Sequence, residues 1–182
     1  HVEDKLKKLE RFSNIMKTSV APKFGVDPKI RSTLYSLCNK ASVLYASNLW
    51  GKHIKRKSTW EKIDRAHYRA IRNSMGYFKT TSKINSLWLT GNIDLSKFIQ
   101  INIETSTKEK CERKKARQEK VELERREILD NIHYERIKLL TSTKRDFYKN
   151  PCSSQEMQVL SSHGPWKTYF HRFGRTTDKS CQ

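Results

Sequence analysis

Apolar residues recur at every third or fourth position through most of the first hundred residues, which is the spacing of a helix rather than a strand. The first such stripe consists of Val2, Leu6, Leu9, Phe12, Met16 and Val20. Pro22, Gly25 and Pro28 interrupt it, and this predicts a break between two helices. The spacing therefore predicts an all-α fold, with a helical bundle over residues 1–100.

Two further helices are predicted after this break. Asp27 lies where an N-cap belongs and Pro28 lies at the first helical position, so we expect a second helix that ends around Trp50. Its expected apolar face consists of Ile30, Leu34, Leu37, Cys38, Ala41, Leu44, Tyr45 and Leu49. The residues Ser58–Glu61 form a capping-box pattern, which predicts a third helix that stops before Gly76.

The rest of the chain divides into three parts. We expect a short apolar turn over residues 84–89 and a helix from about Leu95. Residues 105–127 are a mixed-charge run, which is either a solvated single helix or a disordered connector. Residues 150–182 show little periodicity. We therefore predict a helical domain over 1–100, a charged helical connector over 101–149 and a short irregular tail over 150–182.

The charge of the chain restricts its partners. It has 38 Lys and Arg against 19 Asp and Glu, a net charge of +19. Such a chain is expected to bind a polyanion, with nucleic acid first and an acidic membrane surface second. No run of eighteen apolar residues is present, which predicts no membrane-spanning helix. The four cysteines are widely spaced, which indicates a reducing compartment and not a secreted protein.

The third helix carries the clearest candidate site. At 100° per residue, one side of it carries Trp60, Ile63, His67, Ala70 and Ile71. A narrow arc on the opposite side carries Lys62, Arg65, Arg69 and Arg72, and the residues Lys55, Arg56 and Lys57 precede it. These seven cations are our predicted contacts to nucleic-acid phosphates, and the alternative is an ordinary solvated helix face. Only Glu61 and Asp64 balance them, which favours binding. His67 is predicted to be a core histidine.

The sequence contains no recognisable catalytic set. The only adjacent acidic pair is Glu3–Asp4, whereas two-metal nucleotidyl transfer needs neighbouring carboxylates. There is no Gly-rich phosphate loop. The spacings between Cys152, His163, His171 and Cys181 match no common zinc-binding pattern. We therefore expect no catalysis, and no cofactor, in this chain alone.

The tail resembles a known family. It carries a Ser-His-Gly stretch, then an aromatic residue and Tyr-Phe-His-Arg-Phe-Gly, followed by a cysteine. The matching residues are Leu160, His163, Gly164, Trp166, Tyr169, His171, Arg172, Phe173, Gly174 and Cys181. This resembles the C-terminal part of non-LTR retrotransposon reverse transcriptase polyproteins, particularly the type-1 retrotransposable elements that insert in arthropod ribosomal genes. The resemblance implies that Cys181 is the first ligand of a truncated zinc-finger motif whose other ligands are absent here.

A second stretch resembles the same family. Its residues are Ala21–Gly25, Leu34–Tyr35, Val43–Ala46, Leu49–Trp50, Ile63, Ala70–Arg72 and Ser82–Ile93, which resemble the thumb beyond the polymerase palm. The resemblance implies that this chain is a fragment that grips the template–primer duplex of RNA and DNA and contacts the rest of the polyprotein. The parent would be an RNA-directed DNA polymerase with an endonuclease, using Mg²⁺ for polymerisation and Zn²⁺ in the full C-terminal motif. It would be made in the cytoplasm and work in the nucleus, with no membrane partner.

A second function class has the same composition and the same basic helix. In this alternative the chain is a free-standing basic helical protein that binds nucleic acid and has no polymerase ancestry.

Overall fold

The computed structural model describes residues 2–19, 26–130, 153 and 155–156, and within these ranges the chain is all-α with no strand. Helix α1 spans Val2–Ser19 and α2 spans Pro28–Leu34. The chain then continues through a π-helical segment, Tyr35–Lys40, into α3, Ala41–Leu44. Helix α4 covers Ser47–Trp50 and is followed by a 3₁₀ turn, Gly51–His53. The predicted all-α class is confirmed.

Four further helices follow along the chain. These are α5 (Lys57–Met75), α6 (Lys83–Leu89), α7 (Leu95–Thr105) and α8 (Lys110–Asp130). The predicted short turn at 84–89 is therefore wrong, since those residues lie in α6. The helix α7 crosses the predicted domain boundary at residue 100. Helix α8 contains residues 110–127 of the mixed-charge run, so that part is helical. No helix within these ranges has the length and apolarity needed to cross a membrane.

The core is formed mainly around α5. Helix α1 packs along it, and α2, α6 and α7 also contact it. The buried apolar residues that fill the interior include Leu9, Tyr35, Val43, Ile63, Ala70, Ile71, Met75, Leu87, Leu89, Leu95 and Ile99. Helix α8 has no fully buried residue, but Ile128 and Leu129 pack against this core.

The second helix begins as predicted but does not continue to Trp50. The Asp27 carboxylate accepts a hydrogen bond from the Lys29 backbone N–H at 2.6 Å, which makes Asp27 the N-cap. Tyr45 leaves the helical conformation, and Ala46 has a left-handed φ of 55°. This break lets α4 turn back against α7.

The predicted apolar face of the second helix is wrong. The buried residues there are Arg31, Tyr35, Asn39, Val43 and Ser47, which follow one another at a spacing of four. The predicted face includes Ile30, Leu37, Tyr45 and Leu49, which are exposed. The physical reason is that specific polar contacts orient the helix: the Arg31 guanidinium donates to the Met75 carbonyl at 2.8 Å, and the Tyr35 hydroxyl contacts His67.

The capping box predicted for the third helix does not form. Helix α5 begins at Lys57, one residue before Ser58, and its N-cap is the extended Arg56, which has no capping side chain. The far end agrees with the prediction. Gly76 has a left-handed φ of 72°, and the N–H of Tyr77 bonds to the carbonyl of Arg72 at 2.9 Å, as in a Schellman motif.

Candidate nucleic-acid interface

The predicted phosphate contacts lie on or just before α5. Six of them are exposed: Lys55, Arg56, Lys57, Lys62, Arg65 and Arg69. Arg72 is half-buried. The opposite side of the helix consists of the buried residues Ile63, Ala66, His67, Ala70, Ile71, Ser74 and Met75. Since these residues pack into the core, the arc of Lys62, Arg65 and Arg69 is held on the surface.

One of the two acidic residues of this helix is turned away from the cations. The Asp64 carboxylate accepts hydrogen bonds from the backbone N–H of Ser96 at 2.8 Å and from its hydroxyl at 2.6 Å. It thereby caps the first turn of α7, where the nearest local candidate, Asp94, makes no capping bond. Burial raises the pKa of Asp64 above its ordinary value, although the two bonds to Ser96 oppose this. Glu61 is thus the remaining exposed acid of α5.

The four cations of the arc are not equivalent. The Arg69 guanidinium forms an ion pair with the Glu10 carboxylate of α1 at 3.1 Å. The Arg72 guanidinium donates to the Lys79 carbonyl at 2.7 Å and lies 5.1 Å from the ring centre of Tyr68. These two arginines therefore already have partners that stabilise the fold.

Lys62 and Arg65 form no ion pair within the described residues. They line a groove of about 420 Å³ between α1 and α5. The charged residues of this groove are four cations and two carboxylates: Lys7, Lys62, Arg65, Arg69, Glu3 and Glu10. The groove therefore has a positive charge, and Lys7, Lys62 and Arg65 are its cations without an ion pair in the described residues.

His67 has a structural role, as predicted. It is fully buried, and its Nε2 atom lies 3.0 Å from the Ile93 carbonyl, so Nε2 carries the proton and donates. The Nδ1 atom then accepts from the Tyr35 hydroxyl. Burial, together with the nearby charge of Lys40, lowers the pKa of His67 to about 3. The imidazole is therefore neutral at physiological pH, and it joins the π-helical segment, α5 and the segment before α7.

A second group of cations was missed by the sequence analysis. Lys40 ends the π-helical segment and lies across a cleft of about 870 Å³ from Lys114, Arg117 and Arg125 of α8. The spacing of these α8 residues was visible in the mixed-charge run. No periodic signal linked them to Lys40, which is more than seventy positions earlier in the chain.

The segments that resemble the retrotransposon family have different places in the structure. Of the upstream match, Tyr35, Val43, Ile63, Ala70 and Ile71 are core residues. The tail match, including the predicted zinc ligand Cys181, lies outside the described residues. Within the part that the structure describes, no group of three or more His, Cys, Asp or Glu residues could hold a metal ion.

Comparison of the chain with known proteins gave no matching protein family, no matching curated protein and no matching solved structure.

Proposed function

We propose that this chain binds nucleic-acid duplexes through phosphate contacts from one surface, the α5 surface. This surface consists of Lys55, Arg56, Lys57, Lys62, Arg65, Arg69 and Arg72. Among the four cations of the arc, the principal contacts are Lys62 and Arg65, because Arg69 and Arg72 also have partners within the fold. Phosphate contacts fix the position of a protein on a duplex without reading its sequence.

One observation carries this proposal: the cations of α5 are held on the surface while Asp64 of the same helix is committed to capping α7. A solvated helix face is usually balanced by acids at neighbouring positions. Here a carboxylate that could balance the face lies on its other side. The exposed positive charge is consequently available to a polyanion.

We further propose that the duplex is the RNA–DNA template–primer of a non-LTR retrotransposon reverse transcriptase, of which this chain is a C-terminal fragment that runs from the thumb to the start of the zinc-binding motif. The support for this is the resemblance of residues 21–93 and of the tail. The parent polymerase would work in the nucleus with Mg²⁺. In this proposal the present chain binds the template–primer duplex and does not catalyse the reaction. The nucleotide sequence upstream of codon 1 tests this ancestry: a frame that continues into a Tyr/Phe-x-Asp-Asp palm motif supports it, and a start codon with a promoter contradicts it.

The binding proposal is tested with two RNA–DNA hybrid duplexes of unrelated sequence. We expect the double variant K62Q/R65Q to bind both duplexes at least tenfold more weakly than the unchanged chain, and by the same factor. Gln is nearly as good a helix former as Lys or Arg, so α5 is expected to stay folded. The matched control is K110Q/K115Q, which removes the same charge from two exposed residues of α8. Equal losses in the two variants would contradict a special role for α5.

A further inference from the structure

The cleft between the π-helical segment and α8, here called the Lys40 cleft, has the chemistry of an anion site. Its charged lining residues are Lys40, Lys114, Arg117, Arg125 and Glu122, so four cations face one carboxylate. The carboxylate of Glu122 lies 3.4 Å from the side-chain amide of Gln118. The cleft has a volume of about 870 Å³, which is roomy enough for a small organic ligand.

Lys40 is the central residue of this cleft. Its ammonium group lies 4.3 Å from the ring centre of Phe98 and 3.4 Å from the Asn92 side-chain oxygen. No carboxylate in the described ranges pairs with it. A cation that is withdrawn from water is normally paired with a negative charge. The positive charge of the neighbouring Arg125 instead disfavours the charged form of Lys40. An anionic ligand would supply the missing counter-charge.

Arg117 provides the second anchor. It lines the Lys40 cleft and also the adjoining cavity around Tyr45 and Asn102. Its Nε atom is buried and makes no hydrogen bond. A buried guanidinium N–H without an acceptor is costly, and arginine is the side chain best suited to bind a phosphate through two parallel hydrogen bonds.

Most of the uncharged residues that line the cleft are apolar, beside the polar Ser36 and Gln118. The apolar residues include Leu37, Leu44, Ile93 and Val121, and the side chain of Leu37 is 68% exposed. A ligand that fits both parts of the lining has a charged phosphate and a flat apolar body. A free inorganic ion would leave the apolar walls uncovered.

We propose that the Lys40 cleft binds a nucleoside phosphate, with the phosphate on Lys40 and Arg117 and the base against the apolar walls. The unit is either a free nucleotide or one nucleotide of a single strand. This inference does not depend on the duplex-binding function proposed for α5, because the two surfaces use different residues.

Adenosine 5′-monophosphate is the probe, titrated into the full chain by calorimetry. We expect saturable binding of one nucleotide per chain, at least tenfold tighter than that of inorganic phosphate or of adenosine. R117Q is expected to weaken it by tenfold or more, because a charge-assisted hydrogen bond is lost. K62Q/R65Q is expected to leave nucleotide binding unchanged while weakening duplex binding, so failure of one proposal is distinguishable from failure of the other.

Proton uptake gives a second readout that a purely structural effect of R117Q would not produce. Burial lowers the pKa of Lys40 to about 8, so at pH 9 its side chain is mostly neutral in the free protein. A bound phosphate would restore the charge, and we expect uptake of most of one proton at pH 9, measured in two buffers of different ionisation enthalpy. The charged groups that face Lys40 are Arg125, Arg117, Lys114 and Glu122, and the neighbouring His67 is already neutral. K40M is expected to abolish the uptake.

The source of the nucleotide follows from competition. Displacement of the mononucleotide by a six-nucleotide single strand assigns the cleft to a strand, and failure to displace it assigns the cleft to free nucleotide. The proposal is overturned if no saturable binding is found, or if R117Q binds as well as the unchanged chain. Equal affinity for inorganic phosphate would also overturn it, since the site would then hold an adventitious ion only.

Discussion

At the residue scale, buried polar side chains orient the elements of this fold. Arg31 donates to the carbonyl of Met75, the last residue of α5, and His67 joins Tyr35 to the Ile93 carbonyl. Apolar periodicity could not predict these contacts, because a rule that places apolar residues inside assigns Arg31 to the surface. This is why the wrong face of the second helix was expected to be buried, whereas the apolar face of α5 was predictable.

The neutral state of His67 has a measurable consequence. Its pKa is about 3 in the folded chain, against an ordinary value of 6.5. Below pH 6.5 the unfolded chain therefore binds a proton that the folded chain does not, and folding stability falls as the pH falls. We expect the free energy of unfolding to drop by about 2 kcal/mol between pH 7 and pH 5 from this residue alone. Chemical denaturation at the two pH values measures it.

The control for this effect is the exposed histidine of the 3₁₀ turn. H53Q is expected to keep the decrease, and H67Q is expected to lose it, whatever its stability at pH 7. If the unchanged chain and H67Q lost the same free energy between pH 7 and pH 5, the assignment of His67 as a buried neutral group would be incorrect.

At the scale of elements, some helix boundaries were predictable from the sequence, whereas the start of α5 and the end of the second helix were not. The sequence around Asp27–Pro28 and around Gly76 predicted a start and an end correctly, because proline and glycine restrict the backbone directly. The capping box at Ser58 satisfied the local pattern, but α5 starts one residue earlier. The chain reaches the start of α5 just after Ile54, which packs against the core. A tertiary contact of this kind is not visible in a local sequence pattern.

Two alanine substitutions can measure the difference between Asp27, which caps a helix, and Ser58, which does not. D27A is expected to lower the free energy of unfolding by about 1 kcal/mol, because it removes the acceptor for the Lys29 N–H. S58A is expected to change it by less than about 0.5 kcal/mol, because Ser58 lies inside the first turn of α5 and is not its cap. Thermal or denaturant unfolding compares the two. A larger loss in S58A than in D27A would show that the capping box forms after all.

The contact between the 3₁₀ turn and α7 requires a glycine. A Cβ atom on Gly51 would lie 2.8 Å from Cγ2 of Ile99 and 2.9 Å from Cδ1 of Ile103. We expect G51A to destabilise the fold by about 1–3 kcal/mol through overpacking. The double variant G51A/I103V is expected to recover part of this loss, because one of the two clashing methyl groups is removed. No loss in G51A would mean that the turn does not pack this closely on α7.

At the scale of the whole molecule, the positive charge is organised on separate surfaces. The excess of 38 basic over 19 acidic residues predicted a polyanion as partner, and the α5 surface could be located from helical periodicity alone. Two other features of the charge distribution could not be located from the sequence. The pairing of Arg69 with Glu10 joins residues 59 positions apart, and the Lys40 cleft is formed by still more distant segments. Sequence spacing carries no information about which exposed cations acquire partners in the fold.

If exposed cations of α5 contact duplex phosphates, as proposed, binding of the duplex must depend on salt concentration through these residues. Each phosphate contact contributes about 0.9 to the slope of log affinity against log salt concentration on duplex DNA. We expect K62Q/R65Q to flatten this slope by about 1.8, and R69Q alone to flatten it by less than about 0.9, because Arg69 is shared with Glu10. The slope of K110Q/K115Q is expected to stay close to that of the unchanged chain. If K62Q/R65Q left the slope unchanged, or if the control flattened it equally, the duplex would not be bound by the α5 surface.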